Sequence, residues 1–206
     1  MGNLTSLSGK DIVCLGDSIT EFSNSYVSMI DERYDLSSIK NYGVSGSRIA
    51  VVVGENNSFI KRFSSMSDTA DIVTVFGGTN DFSVSVPLGS IEDTVETTFY
   101  GALNLLADGL TNKYPNAKIA FFTPVVRSGH LETLTKESYK LGDYVNAIKA
   151  VCRKKNISVL DLYNIWNIDP DDTHQKAILI DDGLHPTIEG HIQLTEIISE
   201  FLESLI

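Results

Sequence analysis

Apolar residues recur along the chain in short blocks separated by longer mixed stretches. Asp11–Leu15, Ile39–Tyr42, Asp71–Phe76, Lys118–Thr123 and Ile157–Leu162 each hold a compact apolar run of strand length, and each is followed by a segment long enough for a helix. That alternation predicts a parallel sheet covered on both faces. A helix is predicted from near Ser90, where Ile91, Val95, Phe99, Leu103, Leu106 and Leu110 fall three or four apart, to the break at Tyr114-Pro115. The last helix is predicted from around Pro186, carrying Ile188, Ile192, Leu194, Ile197, Phe201, Leu202 and Leu205. No repeat, low-complexity tract or linker interrupts the pattern, so one domain over residues 1–206 is expected.

Five strands and covering helices in this order, joined by right-handed crossovers, predict a three-layer α/β/α sandwich of flavodoxin-like arrangement with a five-stranded parallel sheet. Ligands in such sheets bind at the carboxyl edges of the strands, and the chemically suggestive segments all fall there or at the start of the last helix.

Composition narrows the partners. The 206 residues are 42% hydrophobic and carry a formal net charge of -11, which opposes binding to nucleic acid or anionic membrane surfaces. The basic run Arg153-Lys154-Lys155 reads as a solvated helix end. Cys14 and Cys152 read as buried free thiols rather than a disulfide framework. No apolar run is long enough to span a bilayer and no leader pattern opens the chain as given, so a soluble protein of undefined compartment is expected. Met1-Gly2-Asn3-Leu4-Thr5-Ser6 fits a loose myristoylation pattern, and the Asn3, Asn56 and Asn156 triplets fit the glycosylation sequon, but strings this short do not decide a compartment.

Three glycine-rich polar segments follow the first three strands: Gly16-Asp17-Ser18, Asn41-Tyr42-Gly43-Val44-Ser45-Gly46 and Gly77-Gly78-Thr79-Asn80-Asp81. A fourth, Asp182-Gly183-Leu184-His185-Pro186, sets an acid three residues before a histidine, one turn away from the imidazole. A serine hydroxyl is a poor nucleophile until a base takes its proton, and that base needs an acceptor on its other nitrogen to hold its tautomer. Ser18, His185 and Asp182 supply these parts, while Gly46 and Asn80 are suited to donate to a developing oxyanion.

The run Gly16-Asp17-Ser18-Ile19-Thr20, the last glycine of NYGVSG, the GTND run and the closing DGLHP resemble, in order, the blocks of the SGNH (GDSL-like) hydrolase family, with Ile19 standing where the name pattern has leucine. The resemblance implies that Ser18 is the nucleophile and that its N–H, the Gly46 N–H and the Asn80 amide form the oxyanion hole. It also implies His185 as base, Asp182 as its orienting acid, an α/β/α sandwich, and hydrolysis of esters or thioesters without metal or other cofactor.

Other residues invite roles. Gly43-Val44-Ser45-Gly46 half matches a Gly-x-Ser-x-Gly elbow, but residue 47 is serine, so Ser45 reads as a loop hydroxyl. Asp17 is expected to tie the loop around Ser18 and is a candidate substrate contact; Arg48 and Asp81 read as loop ties or substrate contacts. Tyr163 and Trp166 read as hydrophobic anchors or as flat faces for a sugar. His130 and His174 fall in loops, and His191 reads as a packing residue. Asp181 beside Asp182 has no companion ligands at metal spacing. The reading is a serine esterase acting on a short, acetyl-type ester of a small polar or carbohydrate substrate. Alternatives are a glycan-binding module of a larger assembly and a lipase or thioesterase for longer acyl chains. Loops 82–89, 125–136 and 163–180 are expected to set specificity.

Overall fold

The computed structural model describes residues 6–206, so the myristoylation pattern and the Asn3 sequon, which depend on residues 1–5, lie outside the described residues. The five apolar blocks form strands β1 (Asp11–Gly16), β2 (Ser38–Gly43), β3 (Ile72–Phe76), β4 (Lys118–Phe122) and β5 (Ser158–Leu160). They pair in parallel in the order β2-β1-β3-β4-β5. The helices are α1 (Ser18–Glu21), α2 (Tyr26–Arg33), α3 (Phe59–Arg62), α4 (Thr79–Ser83), α5 (Phe99–Lys113), α6 (Leu141–Lys155), α7 (Leu162–Ile165), α8 (Thr173–Leu179) and α9 (Ile188–Ser204).

Side chains alternate across each strand, and the two faces bury separate cores. Val13, Leu15, Val73, Val75 and Phe121 pack under α3, α5 and α6. Ile12, Cys14, Ile72, Phe76, Ala120 and Phe122 pack under α2, α7, α8 and α9. Burial on both sides explains why the central strands β1 and β3 read as near-continuous apolar runs, whereas the edge strand β2 carries the exposed Lys40 and Asn41. Both cysteines are free and buried, and Arg153, Lys154 and Lys155 form the last turn of α6.

One predicted helix starts late. α5 begins at Phe99, not near Ser90, with Thr98 capping it by accepting from the Gly101 N–H. The Asp93 carboxylate folds the preceding segment, accepting from the Ser90 and Thr98 hydroxyls at 2.7 and 2.9 Å. Ile91 and Val95 therefore match the helical period without being helical, and Val95 is 52% exposed. At the other end of the chain, Thr187 caps α9 just after Pro186.

The carboxyl ends of the central strands lie level, with Gly16 opposite both Gly43 of β2 and Phe76 of β3. The loops that follow these strands thus meet at one edge of the sheet.

Candidate active site

β1 runs straight into α1, with Asp17 as the N-cap accepting from the Ile19 N–H at 3.1 Å. The turn is tight enough that a Cβ on Gly16 would lie 1.9 Å from Thr20 Oγ1, so only glycine fits there. Ser18 is the first residue of α1 and stands at the carboxyl edge of the sheet.

Its hydroxyl Oγ lies 2.9 Å from His185 Nε2. On the far side of the imidazole, Nδ1 lies 2.6 Å from Asp182 Oδ2. The other Asp182 oxygen accepts from the Leu184 and His185 N–H groups at 2.8 and 2.7 Å, so the acid shapes the loop that carries the base. Partial burial opposes ionisation of Asp182, but the bonds from the His185 ring and these two N–H groups outweigh it and hold its pKa below the usual carboxylate range.

The candidate donors Gly46 and Asn80 follow β2 and β3. Gly46 has φ +71, a left-handed conformation that favours glycine. The Asn80 amide, in the first turn of α4, donates to Ser47 O at 3.0 Å and lies 3.5 Å from Asp17 Oδ2, bridging the loops that carry Gly46 and Ser18.

Asp17 and Asp81 lie buried under these loops. Asp81 accepts from the Ile49 and Ala50 N–H groups at 3.0 and 2.9 Å. Burial, against the bonds it accepts, pushes its pKa up to about 6. Asp17 is pushed up to about 7, chiefly by burial and further by the nearby Asp81, with the Ile19 N–H bond opposing. Both are loop ties, which removes them as substrate contacts. Arg48 is also buried, donating to Gly46 O at 3.3 Å and pairing with Glu55, so it too acts on the loop rather than on a ligand.

Trp166 requires the same correction. It is 2% exposed, packs in the core under α9, and its indole N–H donates to Gln193 Oε1 at 3.1 Å. Tyr163 is half-buried with its ring at the edge of His130, centroids 5.6 Å apart, and it does not line the cavity beside Ser18. Trp166 therefore offers no open face to a sugar ring.

Three residues at the site carried no sequence signal. The Arg62 guanidinium donates to Gly16 O at 2.5 Å, Ser47 Oγ at 3.0 Å, Asn57 O at 2.9 Å and the Tyr42 carbonyl, stitching the ends of β1 and β2 together. Glu21 accepts from the Ser45 N–H at 2.8 Å and from the Ser45 hydroxyl, which occupies the serine of the half-matched elbow. Arg127 donates to Ser83 Oγ at 2.7 Å and Thr79 Oγ1 at 3.3 Å on the opposite side of Asn80.

A cavity of about 310 Å³ opens beside Ser18 and His185, lined by Ile19, Phe22, Pro186 and His191 with Glu21 and Ser45. His191 packs as expected and also forms this wall, its ring stacked on Phe22 with centroids 5.5 Å apart. Burial, then the neighbouring His185, lowers its pKa to about 4. A second hollow, about 260 Å³, lies between Tyr114–Ile119 and Lys155–Ser158 and holds none of the candidate side chains. Among the described residues no group of three His, Cys, Asp or Glu side chains is placed to hold a metal ion, and no helix is long and apolar enough to cross a membrane.

A sequence model of the GDSL-like Lipase/Acylhydrolase family matches residues 14–192. The chain belongs to this family. One solved structure is 33% identical over 97% of this chain and 98% of its own, with a TM-score of 0.91. A protein from Lactobacillus plantarum is 30% identical over 96% of this chain and 98% of its own, with a TM-score of 0.87. An acetylxylan esterase from Geobacillus stearothermophilus shares the fold at 18% identity, covering 93% of each chain, with a TM-score of 0.66. No curated protein sequence matches the chain. Membership in an acylhydrolase family fits the location of these blocks, since the four segments that resemble the family follow β1, β2 and β3 or lead into α9.

Proposed function

We propose that this GDSL-family protein is a serine esterase that removes short, acetyl-type acyl groups from a polar, carbohydrate-like alcohol. The observation that carries the reading is the unbroken relay from Ser18 Oγ through the His185 ring to Asp182, at 2.9 and 2.6 Å. Both lie within the reach required of a nucleophile, its base and the group that orients the base.

In this reading His185 Nε2 takes the Ser18 proton as Oγ attacks the ester carbonyl. The carbonyl oxygen becomes an oxyanion, met by the Ser18 and Gly46 N–H groups and the Asn80 amide. Asp182 holds the proton on His185 Nδ1 and stabilises the imidazolium. The same imidazolium protonates the leaving alcohol, leaving an acyl group on Ser18. Water, deprotonated by His185, then releases the acid and restores the enzyme.

Support for a short acyl group comes from the modest volume, about 310 Å³, of the cavity beside Ser18, walled by Ile19, Phe22 and Pro186. Support for a carbohydrate carrier is the likeness in fold to an acetylxylan esterase and the polar loops on the Asp182 side, where Gly129 N–H meets Asp171 and Ser128 meets Pro170 O.

The test is a p-nitrophenyl ester series from acetyl to dodecanoyl, run beside an acetylated xylo-oligosaccharide with acetate release measured. Rates highest at acetyl, with acetate released from the glycan, are expected. Rates climbing towards dodecanoyl move the protein to the lipase or thioesterase side of its family. Glycan binding without hydrolysis of any ester makes it a binding module.

A further inference from the structure

The cavity beside Ser18 combines apolar walls with one ionised group. Ile19, Phe22 and Pro186 supply the walls, and Glu21 supplies the charge. One Glu21 oxygen, Oε2, is occupied by the Ser45 N–H and hydroxyl. Oε1 takes part in neither bond, and a carboxylate oxygen only accepts.

Nothing that lines the cavity cancels this charge. His191 accepts from the Tyr26 N–H through Nδ1 at 3.3 Å, so that nitrogen carries no proton. A cationic ring would need one there, and burial independently disfavours the cation. His185 is paired with the Asp182 carboxylate. The half-buried Arg62 guanidinium feels the Glu21 charge but is not part of the cavity lining, and it directs its N–H groups to backbone carbonyls and Ser47, so it offsets Glu21 only from behind the wall. An apolar cavity whose one ionised lining group is a carboxylate admits a compact neutral or cationic group and disfavours an anionic one of the same shape.

We infer that Glu21 is a specificity-determining residue that makes this cavity select neutral or cationic ester groups, with a hydroxyl or ammonium donor favoured at Oε1, and reject groups bearing a carboxylate. The inference rests on the esterase reading and extends it to the charge of the substrate. Because Glu21 also holds Ser45, next to Gly46, its loss affects every substrate through the loop. Charge selection is read only in ratios between isosteric substrates, from which that shared effect cancels.

The test compares the unmodified protein with Glu21→Gln, which keeps an acceptor for Ser45. One arm varies the acyl group: p-nitrophenyl 5-methylhexanoate against p-nitrophenyl monoglutarate. The other varies the alcohol: 3,3-dimethylbutyl acetate against acetylcholine. Each ester is measured as a substrate and as a competitor of p-nitrophenyl acetate. A unit charge entering a solvent-open cavity beside a carboxylate shifts preference on the order of three- to tenfold. In the variant the anionic-to-neutral ratio of the acyl arm should rise by about that factor, or the cationic-to-neutral ratio of the alcohol arm should fall by it. Hydrolysis of p-nitrophenyl acetate with both ratios unmoved would overturn the Glu21 assignment and leave the esterase reading standing. Failure to hydrolyse any ester would overturn both.

Discussion

The two halves of the candidate site are built differently. Ser18, Gly46 and Asn80 stand over a buried polar floor, where Asp17 is 1% exposed and Asp81 fully buried, and nearly every oxygen is tied to a backbone N–H. His185 and Asp182 sit at the rim, their side chains 45% and 51% exposed. The lesson is that Ser18 is located by the sheet and its floor, while His185 is located by one local loop whose geometry Asp182 sets twice, through the ring and through the backbone. Substitutions at the rim should therefore alter rate without altering stability, and those in the floor should alter stability as well.

The largest effect belongs to the relay itself. Ser18→Ala and His185→Ala should each lower kcat by roughly 10⁴-fold or more, and the double variant should lose little beyond either. The sharper half of this prediction is that His185→Ala leaves the free energy of unfolding within about 0.5 kcal/mol, as measured in urea. A strongly destabilised His185→Ala would break the contrast between rim and floor.

Next comes Asn80→Ala, which should reduce kcat by about 10²–10³-fold if its amide meets the oxyanion. It should also destabilise the fold by about 1 kcal/mol, because the amide bridges Ser47 and Asp17. Unchanged kcat with lost stability would keep Asn80 in the floor and remove it from the reaction.

The floor carries a distinct pH signature. Burial pushes the folded Asp17 pKa up to about 7 from the ordinary aspartate value of 3.8, so the folded state binds more protons between those values. Its contribution to stability is present below 3.8 and is lost as pH rises through about 7. Asp81 acts with the same sign up to about 6. His191 acts oppositely, because a histidine lowered to about 4 costs stability as pH falls through that value. Asp17→Asn should therefore be more stable than the unmodified protein at pH 8, by about 1–4 kcal/mol, and the gap should close towards pH 4. A gap independent of pH would mean that Asp17 is ionised in the folded protein throughout.

The smallest effect is expected at Ser45→Ala. Its hydroxyl bonds Glu21 rather than His185, so kcat should change by no more than about tenfold, the loss of one hydrogen bond. Abolished hydrolysis would return Ser45 to contention as the nucleophile.

How much of this was legible in the sequence follows the same division. The central strands could be read because both their faces are buried, and the relay could be read because four short blocks in a family's order pointed together to Ser18, Asp182 and His185, where Gly16-Asp17-Ser18 alone reads as a helix cap. Ser90 misled because Ile91 and Val95 continue the period of α5, while the real boundary is a single hydroxyl, Thr98. Trp166 misled because the choice between cleft and core depends on which helix covers it, and α9 lies 20-odd residues further along the chain. Arg62 and Glu21 left no trace because each acts on loops distant in sequence, and an isolated charge beside an ordinary helix end reads as solvent-facing.

The burial of Trp166 has a practical consequence. It is the one tryptophan of the chain, held 2% exposed and hydrogen-bonded to Gln193 of α9. Its fluorescence is therefore an intrinsic probe placed on the α9 side of the sheet and outside the cavity lining. Emission should sit at short wavelength in the folded protein and move to the red as α9 separates from the sheet. Because no second indole contributes, that shift reports the integrity of the layer carrying His191 and the base of the His185 loop, and it can be followed in the same cuvette in which an ester is being hydrolysed.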